Sequence, residues 1–293
     1  MTTVVLGCGY VGLELCRQLR ARGEDVVGVR RSEAALSEIE ATGATAVAAD
    51  VTDVESLAAV PDADSLVFAA SSGGRGADAA RRVYVDGLRT AIDVFAERDE
   101  PPERLVYTSS TGVYGDHGGD WVDETTPLDP TTEKTKVLAE AERITREYAP
   151  DRGIDGAVAR FAGLYGPDRY RLQRYLEGPV TEGYLNMIHR NDAAGVVRFL
   201  LTTAREEELL LAVDDEPVEK WAFADWLADA CGVEPPPKRT KADRLEDDLS
   251  EPATRRILTS KRCSNDRLRR LGYDLQYPTF RDGYQAAIDE YVG

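Results

Sequence analysis

Gly7-Cys8-Gly9-Tyr10-Val11-Gly12 closes a β-branched run and opens an amphipathic one. Glycines at these spacings do a defined job. Gly7 permits a tight turn, Gly9 lets backbone approach a pyrophosphate, and Gly12 lets a following helix pack closely on the strand; the phosphate sits at the helix N-terminus. Tyr10 and Val11 fill the turn between them. About 20 residues on, where a carboxylate would bond a free ribose 2′-hydroxyl, the chain has Arg30, Arg31 and Ser32. Two guanidiniums and a hydroxyl suit a 2′-phosphate instead. The expected cofactor is therefore NADP, with NAD as the alternative; two solvated arginines starting a helix is the plainer account of the same residues.

The elements that must hold this turn are legible as alternation. Strands are expected at Thr3–Leu6, Asp25–Val29, Thr45–Ala49, Ser65–Ala69, Arg104–Thr108 and Ile154–Arg160. Helices are expected between them at Val11–Arg22, Ser32–Ala41, Val54–Val60, Ala77–Glu97 and Glu133–Tyr148. Thr52 with Glu55 three residues later has the pattern of a capping box. Strand and helix in alternation with short connections imply an α/β fold, a Rossmann-type doubly wound parallel sheet. Nearly continuous apolar strands such as VVL and LVFAA fit burial on both faces.

After Arg160 the rhythm changes. Residues 163–184 are rich in Gly, Pro, Tyr and Arg, followed by a helix at Asp192–Arg205 and a strand at Leu209–Val213. Helices at Trp221–Cys231 and Ser264–Leu271 flank an acidic stretch, Glu234–Thr254, expected to be a solvated loop with some local helix. The expected division is a dinucleotide-binding domain over 1–160 and a smaller C-terminal substrate region over 161–293.

Composition narrows the function. The 293 residues carry a net charge of −17, which argues against nucleic-acid or anionic-membrane partners. The longest uncharged run, Thr2–Leu13, is too short for a spanning helix. With no basic leader at its start, the chain is expected to be soluble and cytoplasmic. Thirty arginines against six lysines under an acid excess suit a salt-rich cytoplasm, a halophilic reading that competes with GC-rich codon usage. Cys8, Cys16, Cys231 and Cys263 show no metal or disulfide spacing and read as reduced thiols. Two histidines offer no His-rich metal site, and no metal is expected.

In its ordered motifs the chain resembles the atypical and extended short-chain dehydrogenase/reductases, the NAD(P)-dependent epimerase/dehydratase family. Asp50-Val51 is similar to the family's adenine-contacting pair, and Phe68-Ala69-Ala70-Ser71 to the fourth strand's end at the cofactor. Thr108–Gly115 (TSSTGVYG) resembles the segment carrying the catalytic serine, placing Ser110 there. Asp123–Leu128, Arg160–Pro167 (RFAGLYGP, with Phe161 beside the nicotinamide), Met187–Asp192 and Asn265–Tyr277 resemble further blocks in order. The resemblance implies a cofactor lysine at Lys136, but the family's proton-donating tyrosine, four residues earlier, is here Thr132. A threonine hydroxyl is far too weak an acid for that role unaided. Tyr114 and Tyr165, in segments the resemblance takes to the cofactor, are the substitute candidates, with Ser110 retained.

Two functions follow as expectations. One is an oxidoreductase, epimerase or dehydratase acting on a carbohydrate-like or nucleotide-linked small molecule. Arg169, Arg171 and Arg174, beside Tyr170 and Tyr175, would then clamp an anionic group, a solvated Arg face being the alternative. The other is a non-catalytic NADP(H)-binding regulatory or structural protein that kept the fold. A homodimer is compatible with either. His189 is expected to stabilise a loop, and Asp192 to cap the following helix.

Overall fold

The structure is a computed structural model describing residues 1–73, 76–203 and 208–293. Seven strands form one sheet in the spatial order 209–212, 155–161, 104–110, 65–68, 2–6, 25–30, 45–48. The pairings from Thr45–Ala48 across to Asp155–Phe161 are all parallel. Val4, Val5, Leu6, Leu66, Val67 and Phe68 have no exposed surface, as strands covered on both faces require. Chain order reverses between strands 2–6 and 65–68, and open α/β sheets bind ligands beyond the carboxyl ends of strands at such a point. Gly7 and Ala69-Ala70 stand at those two ends.

Most expected elements lie within two residues of their observed limits, and the departures have local causes. The helical stretch expected at 77–97 contains a wider π-helical segment, Arg82–Gly87, between the α-helices Ala77–Arg81 and Leu88–Ala96. Glu133–Arg143 likewise passes into a π segment, Ile144–Tyr148. The cap expected at Thr52 belongs to Asp53, which accepts from the Glu55 N–H; Thr52 instead donates to Asp50. The Arg205 end of the Asp192–Arg205 expectation lies outside the described residues, and that helix begins earlier, at Arg190. The acidic stretch contains helices Lys241–Leu245 and Glu251–Leu258. A C-terminal helix, Phe280–Val292, completes the chain. Among the described residues no helix is long and apolar enough to cross a membrane.

The chain forms two compact units. The first comprises 1–113, 130–161 and 193–210, and the second 114–129, 162–192 and 211–293. The first holds the sheet's apolar core, from Leu6 and Phe68 to Phe95 and Tyr107. Within it a fully buried ion pair joins two elements. The Arg160 guanidinium donates to both Glu142 carboxylate oxygens, at 2.6 and 3.0 Å, and the Ser109 hydroxyl donates to the same carboxylate at 2.5 Å.

The second unit is built from short two-stranded ladders, such as Gly163–Tyr165 beside Met187–His189. Its core is aromatic, with Tyr165, Phe223, Phe280 and Tyr284 at its centre. Asp192 does not cap its own helix. It lies in the first turn and accepts from the Gln276 and Tyr277 N–H groups, each at 2.8 Å, holding that segment within the second unit.

Candidate functional site

The Gly7–Gly12 turn lies in the first unit; contacts at Gly7 and Gly12 leave no room for a side chain, while the space beside Gly9 is open. Gly7 has φ +101°, and a Cβ there would run into the Ala70 backbone; a Cβ on Gly12 would sit 2.7 Å from the Gly7 carbonyl oxygen. Val29 O, at the end of the second strand, accepts from both Gly7 N and Cys8 N at 3.0 Å. The Tyr10–Ala21 helix starts directly from the turn, with no side chain capping its first N–H groups. Such an end is favourable for an anion.

A cleft of about 220 Å³ opens beside this turn, lined by Gly7, Gly9, Arg30, Arg31, Asp50, Val51, Ala69, Ala70 and Ser71, with Val29, Ala49 and Val83. Sequence reasoning named nine of these twelve; Val83 reaches the wall from the π segment, and nothing local marks it. The two arginines differ in their commitments. The Arg30 guanidinium donates to Cys8 O and, at 2.7 Å, to Glu38, so it braces the turn. Arg31 is 71% exposed, with the Asp50 carboxylate 4.0 Å away. Desolvation is the largest influence on Asp50 and pushes its pKa up, but the Thr52 N–H and hydroxyl, with Arg31 and Arg82, together carry it below its usual range. Asp50 therefore holds its charge and a fixed direction. Ser32 is exposed and precedes a short 3₁₀ turn, Glu33–Ala35.

Ser110 ends the 104–110 strand, and its Oγ accepts from the Gly112 N–H at 3.1 Å. Phe161 ends the neighbouring strand, largely buried. Lys136 stands on the exposed side of the Glu133–Arg143 helix, donating to Glu133 at 2.7 Å. Thr132 is the N-cap of that helix. Its Oγ1 accepts from the Thr135 N–H at 3.1 Å while the Thr135 hydroxyl receives the Thr132 N–H, a reciprocal box. A residue in this position has its hydroxyl turned onto its own helix. Thr132→Val should lower stability by about 1 kcal/mol through the lost cap while leaving dinucleotide affinity unchanged. Paired urea unfolding and titration curves check both halves, and an affinity loss would give Thr132 a cofactor role.

Tyr114 and Tyr165 belong to the second unit, and both are buried. The Tyr114 hydroxyl donates to Asp123 O at 2.6 Å. Tyr165 stacks on Tyr284 at 4.9 Å, and burial, then the nearby Asp214 carboxyl, pushes its phenol far above the usual range. That phenol keeps its proton. Both side chains therefore anchor structure in this geometry. His189 is buried against Tyr165 and Tyr277 and accepts from Asn191 N, as a loop-stabilising residue would.

The arginine segment also has partners that the sequence did not single out. Lys220, at the start of the Lys220–Cys231 helix, donates to the Glu182 carbonyl at 3.3 Å. Burial, then the charges of Lys241 and Arg174, pull its pKa down to about 8, with Glu182 the opposing carboxylate. Glu182 joins two of these segments, its carbonyl accepting from Lys220 and its carboxylate from the Lys241 N–H at 2.7 Å. Arg171 stands just before the Leu172–Leu176 helix in a left-handed conformation, φ +56°.

The sheet order and the turn at its reversal point define a Rossmann-type fold, with the cleft beside that turn as its candidate binding site. The profile of the NAD dependent epimerase/dehydratase family matches residues 3–230, and the chain belongs to that family. It is 28% identical over 282 residues to Protein YeeZ of Escherichia coli (strain K12), covering 94% of this chain and 95% of that one. A functionally unknown conserved protein from Silicibacter pomeroyi DSS has a similar structure, with TM-score 0.78, 28% identity and coverage of 100% and 99% of the two chains. The UDP-glucose 4-epimerase of Thermus thermophilus, in complex with NAD, shares the fold at TM-score 0.77 and 19% identity, over 100% of this chain and 99% of that one.

Proposed function

We propose that this chain is an NADP-preferring oxidoreductase of the epimerase/dehydratase type, acting on a carbohydrate-like or nucleotide-linked substrate with an anionic group. The observation that carries the reading is the first unit's cleft, where a glycine turn closed to side chains at Gly7 and Gly12 and open beside Gly9 adjoins an uncapped helix start and an exposed Arg31. These residues fit a dinucleotide. The turn and the helix start would hold its pyrophosphate, Asp50-Val51 its adenosine end, Arg31 a 2′-phosphate, and Lys136 the nicotinamide ribose. Bound there, the dinucleotide supplies reversible hydride transfer. The chain's part is to orient it, with Ser110 the hydroxyl at the strand end and Phe161 the apolar neighbour. Lys220, Lys241 and Arg174 would receive the anionic group of the substrate, the kind of group a nucleotide-linked sugar carries. Residues 1–160 would thus supply the dinucleotide-binding parts and 161–293 the substrate-binding ones.

The second reading, a non-catalytic NADP(H) binder, is favoured by Thr132, which serves as a helix cap where the family's tyrosine would stand. Turnover separates the two readings, since both bind dinucleotide.

Fluorescence titration with NADPH and NADH tests the cofactor preference. NADPH should bind at least about tenfold more tightly, ~1.4 kcal/mol. Arg31→Ala should erase that margin with NADH affinity retained. Arg30→Ala should weaken both, because Arg30 braces the turn through Cys8 O. Equal affinities in the wild type would remove the 2′-phosphate from the account.

A further inference from the structure

Cys8 and Cys16 are both without exposed surface, and their sulfurs lie 3.4 Å apart. One belongs to the dinucleotide turn and the other to the second turn of the helix that follows it. Cys8 is held on several sides. Its N–H donates to Val29 O, its carbonyl receives the Arg30 guanidinium, and its Sγ reaches Val5 O at 3.5 Å. Gly28 makes the space for this side chain, since a Cβ there would lie 2.8 Å from the Cys8 sulfur.

We propose that Cys8 and Cys16 are an oxidative modification site, a dithiol that closes to a disulfide and so weakens dinucleotide binding. The coupling half rests on the dinucleotide reading of the cleft. A disulfide holds its sulfurs at about 2.05 Å, so closure must bring these two together by roughly 1.4 Å. Cys16 lies within a regular helix, between buried Leu15 and Leu19. Cys8 lies in the turn that precedes this helix, outside its hydrogen-bond ladder, so the turn is what yields. Moving Cys8 displaces its carbonyl from Arg30 and its N–H from Val29 O. The pyrophosphate turn and the arginine bracing it then shift together.

The oxidant class is a peroxide. One thiolate attacks a peroxide oxygen, the O–O bond breaks, and the departing hydroxide leaves as water, giving a sulfenic acid. The second thiolate attacks that sulfur, the S–O bond breaks, and a second water leaves. Two electrons and two protons pass from the dithiol to the peroxide. The Cys16 hydrogen bond and burial push the Cys8 thiol well above its usual pKa, so the closed turn is slow to react and the reaction waits on its opening. A ligand that holds the turn closed protects the pair, by linkage.

The test treats the full chain with hydrogen peroxide, with and without saturating NADPH, and maps thiols by mass spectrometry. Trypsin leaves both cysteines in one peptide, Met1–Arg17, which becomes two hydrogens lighter and refuses alkylation if the disulfide forms. The expected result is that product, slowed by NADPH, with dinucleotide Kd raised at least tenfold and restored by dithiothreitol. Cys16→Ala should keep its affinity within twofold after the same treatment, and Cys16→Ser serves if alanine does not fold. Two free thiols in that peptide after Cys231 and Cys263 have oxidised would overturn the proposal, as would a disulfide that leaves Kd unchanged. If the reduced protein binds no dinucleotide, the dinucleotide reading and the coupling fail together, while the peptide mass still decides whether the disulfide forms.

Discussion

Glu142→Ala should destabilise the protein by about 3–5 kcal/mol, because it leaves the Arg160 guanidinium buried without its counter-charge. The pair is 3% exposed on both sides, and the Ser109 hydroxyl loses its acceptor in the same step. Urea unfolding at neutral pH measures the loss. Glu142→Gln keeps an acceptor oxygen and should cost less. Replacing both charges, Glu142→Leu with Arg160→Met, should recover most of the stability, since a buried pair exchanged for apolar side chains of similar volume is often neutral. A loss below about 1 kcal/mol for Glu142→Ala would mean that water reaches Arg160. The pair has a functional side as well. Glu142 is on the helix that carries Lys136, and Ser109 precedes Ser110, so the ion pair fixes two candidate groups relative to each other within one unit.

The second large effect depends on pH. Burial, then the charge of Arg190, pulls the His189 pKa down to about 4 from an ordinary 6.5. A depressed folded pKa gives stability that is complete above the unfolded value and is lost as pH falls through the folded one. Between pH 6.5 and about 4 the unfolded histidine takes a proton that the folded one refuses. At about 1.4 kcal/mol per pH unit, the window is worth roughly 3 kcal/mol. His189→Gln removes that dependence. Between about pH 7 and about pH 4 the wild type should therefore lose about 3 kcal/mol more than the variant in urea unfolding. The buried carboxyls Asp192 and Asp214, whose pKa values burial raises, act with the opposite sign and are common to both proteins. Parallel losses in the two would show that His189 is already protonated in the fold.

What the sequence made legible was local. The Gly7–Gly12 turn could be read because a turn and a helix start are specified by neighbouring residues. Arg31 could be placed because it follows the second strand at the sheet's carboxyl edge, and Asp50 and Ala70 through the resemblance to the epimerase/dehydratase family. Register within a few residues followed from apolar runs bounded by turns. The illegible parts are those assembled across the chain. Glu142 and Arg160 are 18 residues apart, and each alone reads as an exposed charge on a helix or an interruption of a strand. Lys220 and Lys241 come from two helix starts, with Arg174 from a third segment. The π segments at 82–87 and 144–148 keep the apolar spacing close enough to a helix that periodicity passes over them. Thr132 stands at the position of the family's tyrosine, and with Thr135 it forms the N-terminal cap of the helix, a local pairing that the family pattern hides.

The most direct test of the central claim is to purify the chain without added nucleotide, denature it, and quantify the released small molecules by mass spectrometry, followed by titration of the emptied protein. NADP(H) should be released in amounts approaching one per chain, exceeding NAD(H), or the emptied protein should bind NADPH with the preference set by Arg31. Release of no dinucleotide, with no NADPH or NADH binding in titration, would contradict that claim.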